Sequence, residues 1–298
     1  MNRKNEIIGN IAALIPNIIF GFSFLFSKAA LNFAHPLIIL SVRFTVAFAV
    51  LNILWAVGLV KLNFKGKNIG KILLMAICQP LLYFIFELYG IGATSSGVSG
   101  VIISLVPIAV IIISSVFLRE APSVRQVVFM AVSLIGLVVI SIASSNQSKN
   151  TFIGILLLLG AVLCAALFNI LSRSESEKFS PEERTYMMFT VGAIGFNVIS
   201  GVVLGKKYLT ELFKAAVSHE FWLAIAYLAV LSSVAAFLVY NYATTKISAI
   251  RAASYSNVIT VVSVLAGVLI LKENLTIIQM ICCILIIVGV YGANKIKQ

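Results

Sequence analysis

One carboxylate stands in an otherwise apolar run, Cys78-Gln79-Pro80-Leu81-Leu82-Tyr83-Phe84-Ile85-Phe86-Glu87-Leu88-Tyr89-Gly90. With its flanks the run is long enough to cross a bilayer. A charge held in hydrocarbon costs at least about 2.5 kcal/mol, so it persists where it faces the protein interior or water, and usually where it has a task. On a helix, Gln79, Tyr83, Glu87 and Gly90 share a stripe by i, i+4 and i+3 spacing. An amide, a phenol, a carboxylate and a gap then form one wall of a polar cavity. Glu87 is the candidate for binding a cationic group or carrying a coupling proton, with Tyr83 and Gln79 as neighbours.

Further groups belong with it. Phe20 and Phe24 lie in an alternating Phe run, Phe20-Gly21-Phe22-Ser23-Phe24-Leu25-Phe26, and Pro16 ahead of them can kink that helix. Tyr83, Phe84, Tyr240 and Tyr255 offer ring faces, which attract a desolvated cation by about 2 kcal/mol. Ser104, Asn241 and Asn257 are neutral polar candidates for substrate contact at membrane depth. Lys28 and Arg43 also fall within apolar runs. Either could pair with Glu87 to lower the cost of burial, so Glu87 is read both as a cavity group and as an ion-pair member. Arg251 opens a later run, where it either marks orientation or holds an inner gate. Gly97-Val98-Ser99-Gly100 resembles the GxSG of rhomboid intramembrane proteases, making Ser99 a distant nucleophile candidate. Such a serine needs a base within hydrogen-bond reach, and the two histidines, His35 and His219, sit at helix ends.

The elements that must position these groups are membrane helices. Of 298 residues, 61% are hydrophobic and 11% charged, with mean hydropathy +1.09, whereas a soluble domain is about 45–50% apolar and 25% charged. The net charge of +12 does not describe a nucleic-acid binder, because the basic residues sit in short loops between apolar runs. Every acidic residue is Glu, which excludes EF-hand loops and Asp-based triads. Cys78, Cys164, Cys282 and Cys283 have neither metal-site nor disulfide-framework spacing, and no cofactor or metal is expected. At about 20 apolar residues per crossing, ten spans are predicted at 8–32, 36–60, 70–91, 96–118, 123–143, 152–172, 184–205, 220–243, 249–271 and 275–293. The connections of any length are 63–68, 172–184 and 206–219. Placing the N-terminus inside puts roughly threefold more Lys and Arg, Arg184 among them, on the inner side, so both termini are expected in the cytoplasm. No cleavable signal peptide is evident, and the first apolar segment is expected to remain as a span.

The chain repeats itself. Leu118-Arg119-Glu120 matches Leu271-Lys272-Glu273; at the same offset Gln126 meets Gln279, Gly136 meets Gly289, and Glu87-Leu88-Tyr89-Gly90 meets Tyr240-Asn241-Tyr242-Ala243. Five spans, 7–145, are followed by five, 151–294. Five is odd, so the second copy enters the membrane from the other side. The expected fold class is thus an all-α polytopic membrane protein of ten transmembrane helices in two inverted five-helix repeats, an arrangement that places substrate at the repeat interface near the midplane.

These features together resemble the drug/metabolite transporter superfamily, in particular its ten-span EamA-type exporters. The resemblance rests on Pro36 with Arg43-Phe44, Tyr83 to Gly90, Thr94-Ser95, Pro107, Leu118-Arg119-Glu120, Gln126 and Gly136, with second-half echoes at Ser248, Arg251, Leu271-Lys272-Glu273, Gln279 and Gly289. It implies a ten-helix basket lined by spans 1, 3, 4, 6, 8 and 9, with spans 5 and 10 as a support, and export of small metabolites, often amino acids or related amines. Such relatives tend to carry tryptophan-glycine-serine-asparagine where this chain has Phe20-Gly21-Phe22-Ser23, so substrate identity does not carry over. The expected function is a secondary active or facilitative exporter of a small amine-bearing metabolite, working by alternating access in the cell membrane. The partners are the substrate, the bilayer and protons as candidate coupling ion, with no nucleic acid, and the expected state is a monomer or weak dimer. A broad multidrug exporter of lipophilic cations is the alternative, and a Ser99 protease the distant one. No GxxxxGK[ST] motif is present.

Overall fold

The computed structural model describes residues 3–93, 102–103, 105–119, 122–143, 152–271 and 277–294. All regular structure among them is helical. In chain order the helices are α1 (Arg3–Leu31), α2 (Pro36–Ala56), α3 (Gly70–Gly90), α4 (Val106–Phe117), α5 (Val124–Ala143), α6 (Phe152–Ser174), α7 (Pro181–Leu204), α8 (Lys207–Ala216), α9 (His219–Lys246), α10 (Ala249–Ser254), α11 (Asn257–Leu271) and α12 (Ile277–Asn294). Six of them, α1, α2, α3, α6, α7 and α9, are each long and apolar enough to cross a bilayer. Shorter apolar helices complete the set, and the chain is a polytopic membrane protein. In hydrocarbon each backbone amide must find its partner within the segment, which is why Leu-, Ile-, Val- and Phe-rich runs that could form strands in water are helical here.

Local chemistry sets the ends. Pro36 opens α2 after His35, whose side chain accepts from the Leu37 N–H. α7 begins at Pro181, three residues before the predicted start, because Ser180 and Glu183 form a reciprocal capping box. Arg184 is therefore not a loop charge: it lies within the first turn of α7 and is fully buried. The expected loop 206–219 contains the helix α8. The ninth predicted span is divided into α10 and α11, with Tyr255 and Ser256 between them. Of the fourth span, residues 96–101 lie outside the described set.

α3 is not one continuous helix. Within Ile77–Leu82, Gln79 takes extended backbone angles (φ −146°, ψ 120°). The helical stripe expected from Gln79 to Gly90 therefore holds only from Tyr83 onward. α9 carries a widened, π-helical segment at Tyr227–Ala235. The two irregular segments fall at corresponding positions of the repeat, with Gln79 matched to Ser232 and Pro80 to Ser233.

The packing has the same doubling. α1 rests mainly on α9 and α11, and α6 mainly on α3 and α4, so exchanging the halves maps one neighbour set onto the other. α2 pairs with α7, and α5 with α12. Each half's second helix also lies against the other half's irregular segment: α2 on that of α9, and α7 on that of α3. Gly192 of α7 admits Phe44 and Pro80, whose carbons stand 2.8 and 3.0 Å from where a Cβ would be.

The repeat-matched glycines meet at the α5–α12 pair. A Cβ on Gly136 would lie 2.9 Å from the Cys282 carbonyl oxygen, and one on Gly289 would lie 2.6 Å from the Phe129 carbonyl oxygen. Each glycine lets its helix approach the partner's backbone. Gly289→Leu is expected to force these helices apart at a cost of about 1–3 kcal/mol or more, read as a lowered melting temperature of the detergent-purified protein. Gly201→Ala, with nothing within 4 Å of the new methyl, should leave it unchanged.

Candidate functional site

Glu87 lies one turn beyond Tyr83 on α3, and the Tyr83 Oη donates a 2.8 Å hydrogen bond to its Oε1. Both side chains are half-buried. Among the described residues no ion pair joins Glu87 to a cation. Arg43 of α2 lies nearby and the two charges interact through space, but the guanidinium is directed elsewhere. Its Nε donates to Ser233 Oγ at 2.9 Å and its Nη2 to Ser232 Oγ at 3.3 Å, both on the irregular segment of α9. Its Cζ stands 5.4 Å from the Phe84 ring centre and 5.5 Å from that of Phe44. A 94%-buried cation is thus held by two neutral hydroxyls and two ring faces (6% exposed). Of the two readings of Glu87, contact ion pairing with Arg43 is not the geometry adopted.

From Phe84 an aromatic chain crosses the bundle. Phe44 packs on Phe84, Phe189 and Phe196 with ring centres 5.1–5.8 Å apart. Phe189 meets Phe237 edge-on, and Phe237 touches Phe20 and Phe168. Phe168 stacks on Tyr240 at 6.0 Å. Tyr240, matched to Glu87 in the repeat, is buried and donates to Asn169 Oδ1. Phe20, Tyr83, Glu87 and Tyr240 thus belong to one connected centre built from α1, α2, α3, α6, α7 and α9.

Several other expected site residues bond within the protein. Asn241 is fully buried, accepting from Ser172 Oγ at 2.7 Å and donating to Thr185 Oγ1 at 2.9 Å. Beside it Arg184 donates to Ser172 Oγ at 2.8 Å, Thr244 Oγ1 at 2.9 Å and the Asn241 carbonyl at 2.6 Å, as well as to the Ser172 carbonyl. Asn257 donates to Ser133 Oγ of α5 at 2.8 Å. Arg251 pairs with Glu6, joining α10 to the start of α1. Gln79 is half-buried on its extended backbone and Tyr255 is buried near the α10–α11 break. Gly90, read as a gap in a cavity wall, instead admits Leu158 and the Gly154 carbonyl of α6. Phe24 and Lys28 lie on α1 with side chains outside the described set, as do Ser104 and Ser99 entirely.

Ser232, Ser233 and Asn169 carry the site with no sequence signal beyond being polar in apolar runs. Arg184 was hidden by its place next to a loop. On the loop side, Lys67 pairs with Glu183 at 2.7 Å and Lys71 with Glu175 at 3.3 Å, docking the α2–α3 connection on the α6–α7 turn.

Irregular spans, mirrored neighbours and a carboxylate with no contact cation among the described residues are consistent with a membrane transporter. The pattern of the EamA-like transporter family matches residues 7–142 and again 152–295, and the chain belongs to that family. It is 34% identical over 286 residues to the uncharacterized transporter YcxC of Bacillus subtilis, covering 95% of this chain and 92% of the relative. An uncharacterized transporter of Archaeoglobus fulgidus is 29% identical, over 91% of this chain and 93% of its own. A probable amino-acid metabolite efflux pump of Escherichia coli is 23% identical, over 98% and 95%. The fold is similar to that of a protein chain of known crystal structure at a TM-score of 0.78 and 18% identity, covering 98% and 99%.

Hydrogen bonds to a charged group contribute about 1.5–3 kcal/mol. Ser233→Ala, which removes the shorter bond to Arg43, should lower the melting temperature clearly. Ser232→Ala, which removes the 3.3 Å contact, should lower it less. Differential scanning fluorimetry of both variants checks the order.

Proposed function

We propose that the chain exports a small amine-bearing metabolite, such as an amino acid or a related cation, by alternating access between two oppositely inserted halves, with both termini in the cytoplasm of the cell. The observation that carries this reading is the Tyr83–Glu87 pair: a carboxylate in a membrane-crossing helix, oriented by a phenol and, among the described residues, without a contact cation. An ammonium entering the site supplies the missing charge, and an arriving proton supplies it in the empty return step. The name of the Escherichia coli relative, a probable amino-acid metabolite efflux pump, supports the same substrate class. The break in α3, matched in the repeat by the widened segment of α9, supports a site at the repeat interface, since interrupted helices are where such transporters bind. The working species is a monomer or weak dimer, and protons are the coupling ion.

The aromatic chain from Phe84 to Phe20 favours one second reading, a broad exporter of lipophilic cations, because ring faces accept such cations without demanding a particular shape.

Glu87→Gln keeps the shape of the side chain and removes its charge. In proteoliposomes it should raise the half-saturating concentration of an amine substrate roughly tenfold to hundredfold, as expected for losing one charge-assisted contact. It should also abolish the response of flux to an imposed pH gradient. Tyr83→Phe should give a smaller rise and keep the response. Wild-type flux and pH response in the Glu87 variant would overturn the assignment. Competition among unrelated lipophilic cations at similar concentrations would select the second reading.

A further inference from the structure

The strongly two-sided helix of the chain is α8. It follows α7 through a turn at Gly205, whose φ of +51° suits glycine, and precedes α9, whose first turn is capped by Ser218. Connectivity therefore places it at the membrane face where those two spans end and begin. It packs across the ends of α2, α7 and α9.

One side of α8 is committed to the protein. Ala215 is fully buried. The Tyr208 Oη donates to Asn197 Oδ1 at 2.7 Å, and Asn197 Nδ2 donates to Thr45 Oγ1 of α2 at 2.7 Å. The other side is apolar and bare. Leu209 is 59%, Phe213 68% and Val217 88% exposed, and i, i+4, i+8 spacing aligns them in one stripe. The neighbouring span ends also expose apolar side chains: Val202 and Val203 at the end of α7, Trp222 and Leu223 at the start of α9. Trp222 turns its Nε1 to the Ala216 carbonyl at 2.9 Å, leaving its ring outward, the disposition tryptophan takes at a bilayer boundary. Lys206 and Lys207 are exposed at the start of α8, while Lys214 is neutralised by Glu211 at 3.0 Å.

We propose that α8 is an interfacial helix that sinks Leu209, Phe213 and Val217 into one leaflet and sets Lys206 and Lys207 against anionic phospholipid headgroups. An apolar stripe beside a basic end is what binds a helix flat in the headgroup boundary. The Tyr208–Asn197–Thr45 hydrogen bonds tie this helix to α7 and α2, one of the helix pairs that join the two halves.

The test uses the full chain in vesicles. Phe213→Trp in a Trp55→Phe, Trp222→Phe background reports the depth of the stripe. Its emission should be strongly quenched by phosphatidylcholine brominated near the headgroup end of the acyl chains, and weakly by aqueous acrylamide. The reverse order overturns the proposal, as does emission that changes only when the protein is diluted into excess lipid, which marks a second copy on the stripe. If that background fails to fold, Phe213→Trp with Trp55→Phe alone, read against the same protein without the Phe213 change, isolates the same signal. Wild-type protein should melt at a higher temperature in phosphatidylglycerol vesicles than in phosphatidylcholine vesicles, and the Lys206→Gln, Lys207→Gln variant should lose that difference. A difference that survives the double change, or is absent from the wild type, overturns the headgroup assignment.

Discussion

A charge carried into hydrocarbon must be met by the protein itself, and the bundle is arranged around that demand. Its answer takes two forms. Some charges have neutral partners: Arg43, within α2, is held by two serine hydroxyls, and Arg184, in the first turn of α7, by hydroxyls and backbone carbonyls. Glu87 is held by a phenol. Others have opposite charges as partners, as in Lys67–Glu183, Lys71–Glu175 and Arg251–Glu6. Neutral partners satisfy hydrogen-bonding geometry while leaving the charge free to act on a visitor; ion pairs consume it. The central carboxylate keeps its electrostatic reach because its neighbour is a tyrosine and not the arginine one helix away.

The same centre depends on two irregular spans. Gln79 breaks α3 and Tyr227–Ala235 widens α9. These departures bring Ser232 and Ser233 onto Arg43 and let α7 close on Pro80 through Gly192. Because each irregular segment is packed by the other half's second helix, the polar centre belongs to neither repeat alone.

Much of the fold was legible in the sequence, because bilayer crossing imposes length and apolarity on each helix and the repeat shows in Gly136–Gly289 and in the Arg119 and Lys272 motifs. The pairing of Tyr83 with Glu87 followed from helical spacing. What composition could not tell was partner choice. Asn241 and Asn257 look like cavity residues by type and Arg251 like an orientation marker or a gate, and they bond Ser172, Ser133 and Glu6. A polar side chain in an apolar run signals burial with a partner, and the partner lies a hundred or more residues away for Asn257 and Arg251. Arg184 was obscured because a charge next to a loop reads as a topology marker. α8 was read as loop because it is too short and too charged to cross.

The exchanged packing bears on how the chain is made. Among the described residues, the helices of the first half touch one another little. α1 waits for α9 and α11, α3 and α4 for α6, α2 for α7, and α5 for α12. During synthesis the first five segments therefore enter the bilayer before most of their final neighbours exist. α12, made after the other described helices, closes the contact with α5. Until then the lipid itself is the placeholder for half of the protein.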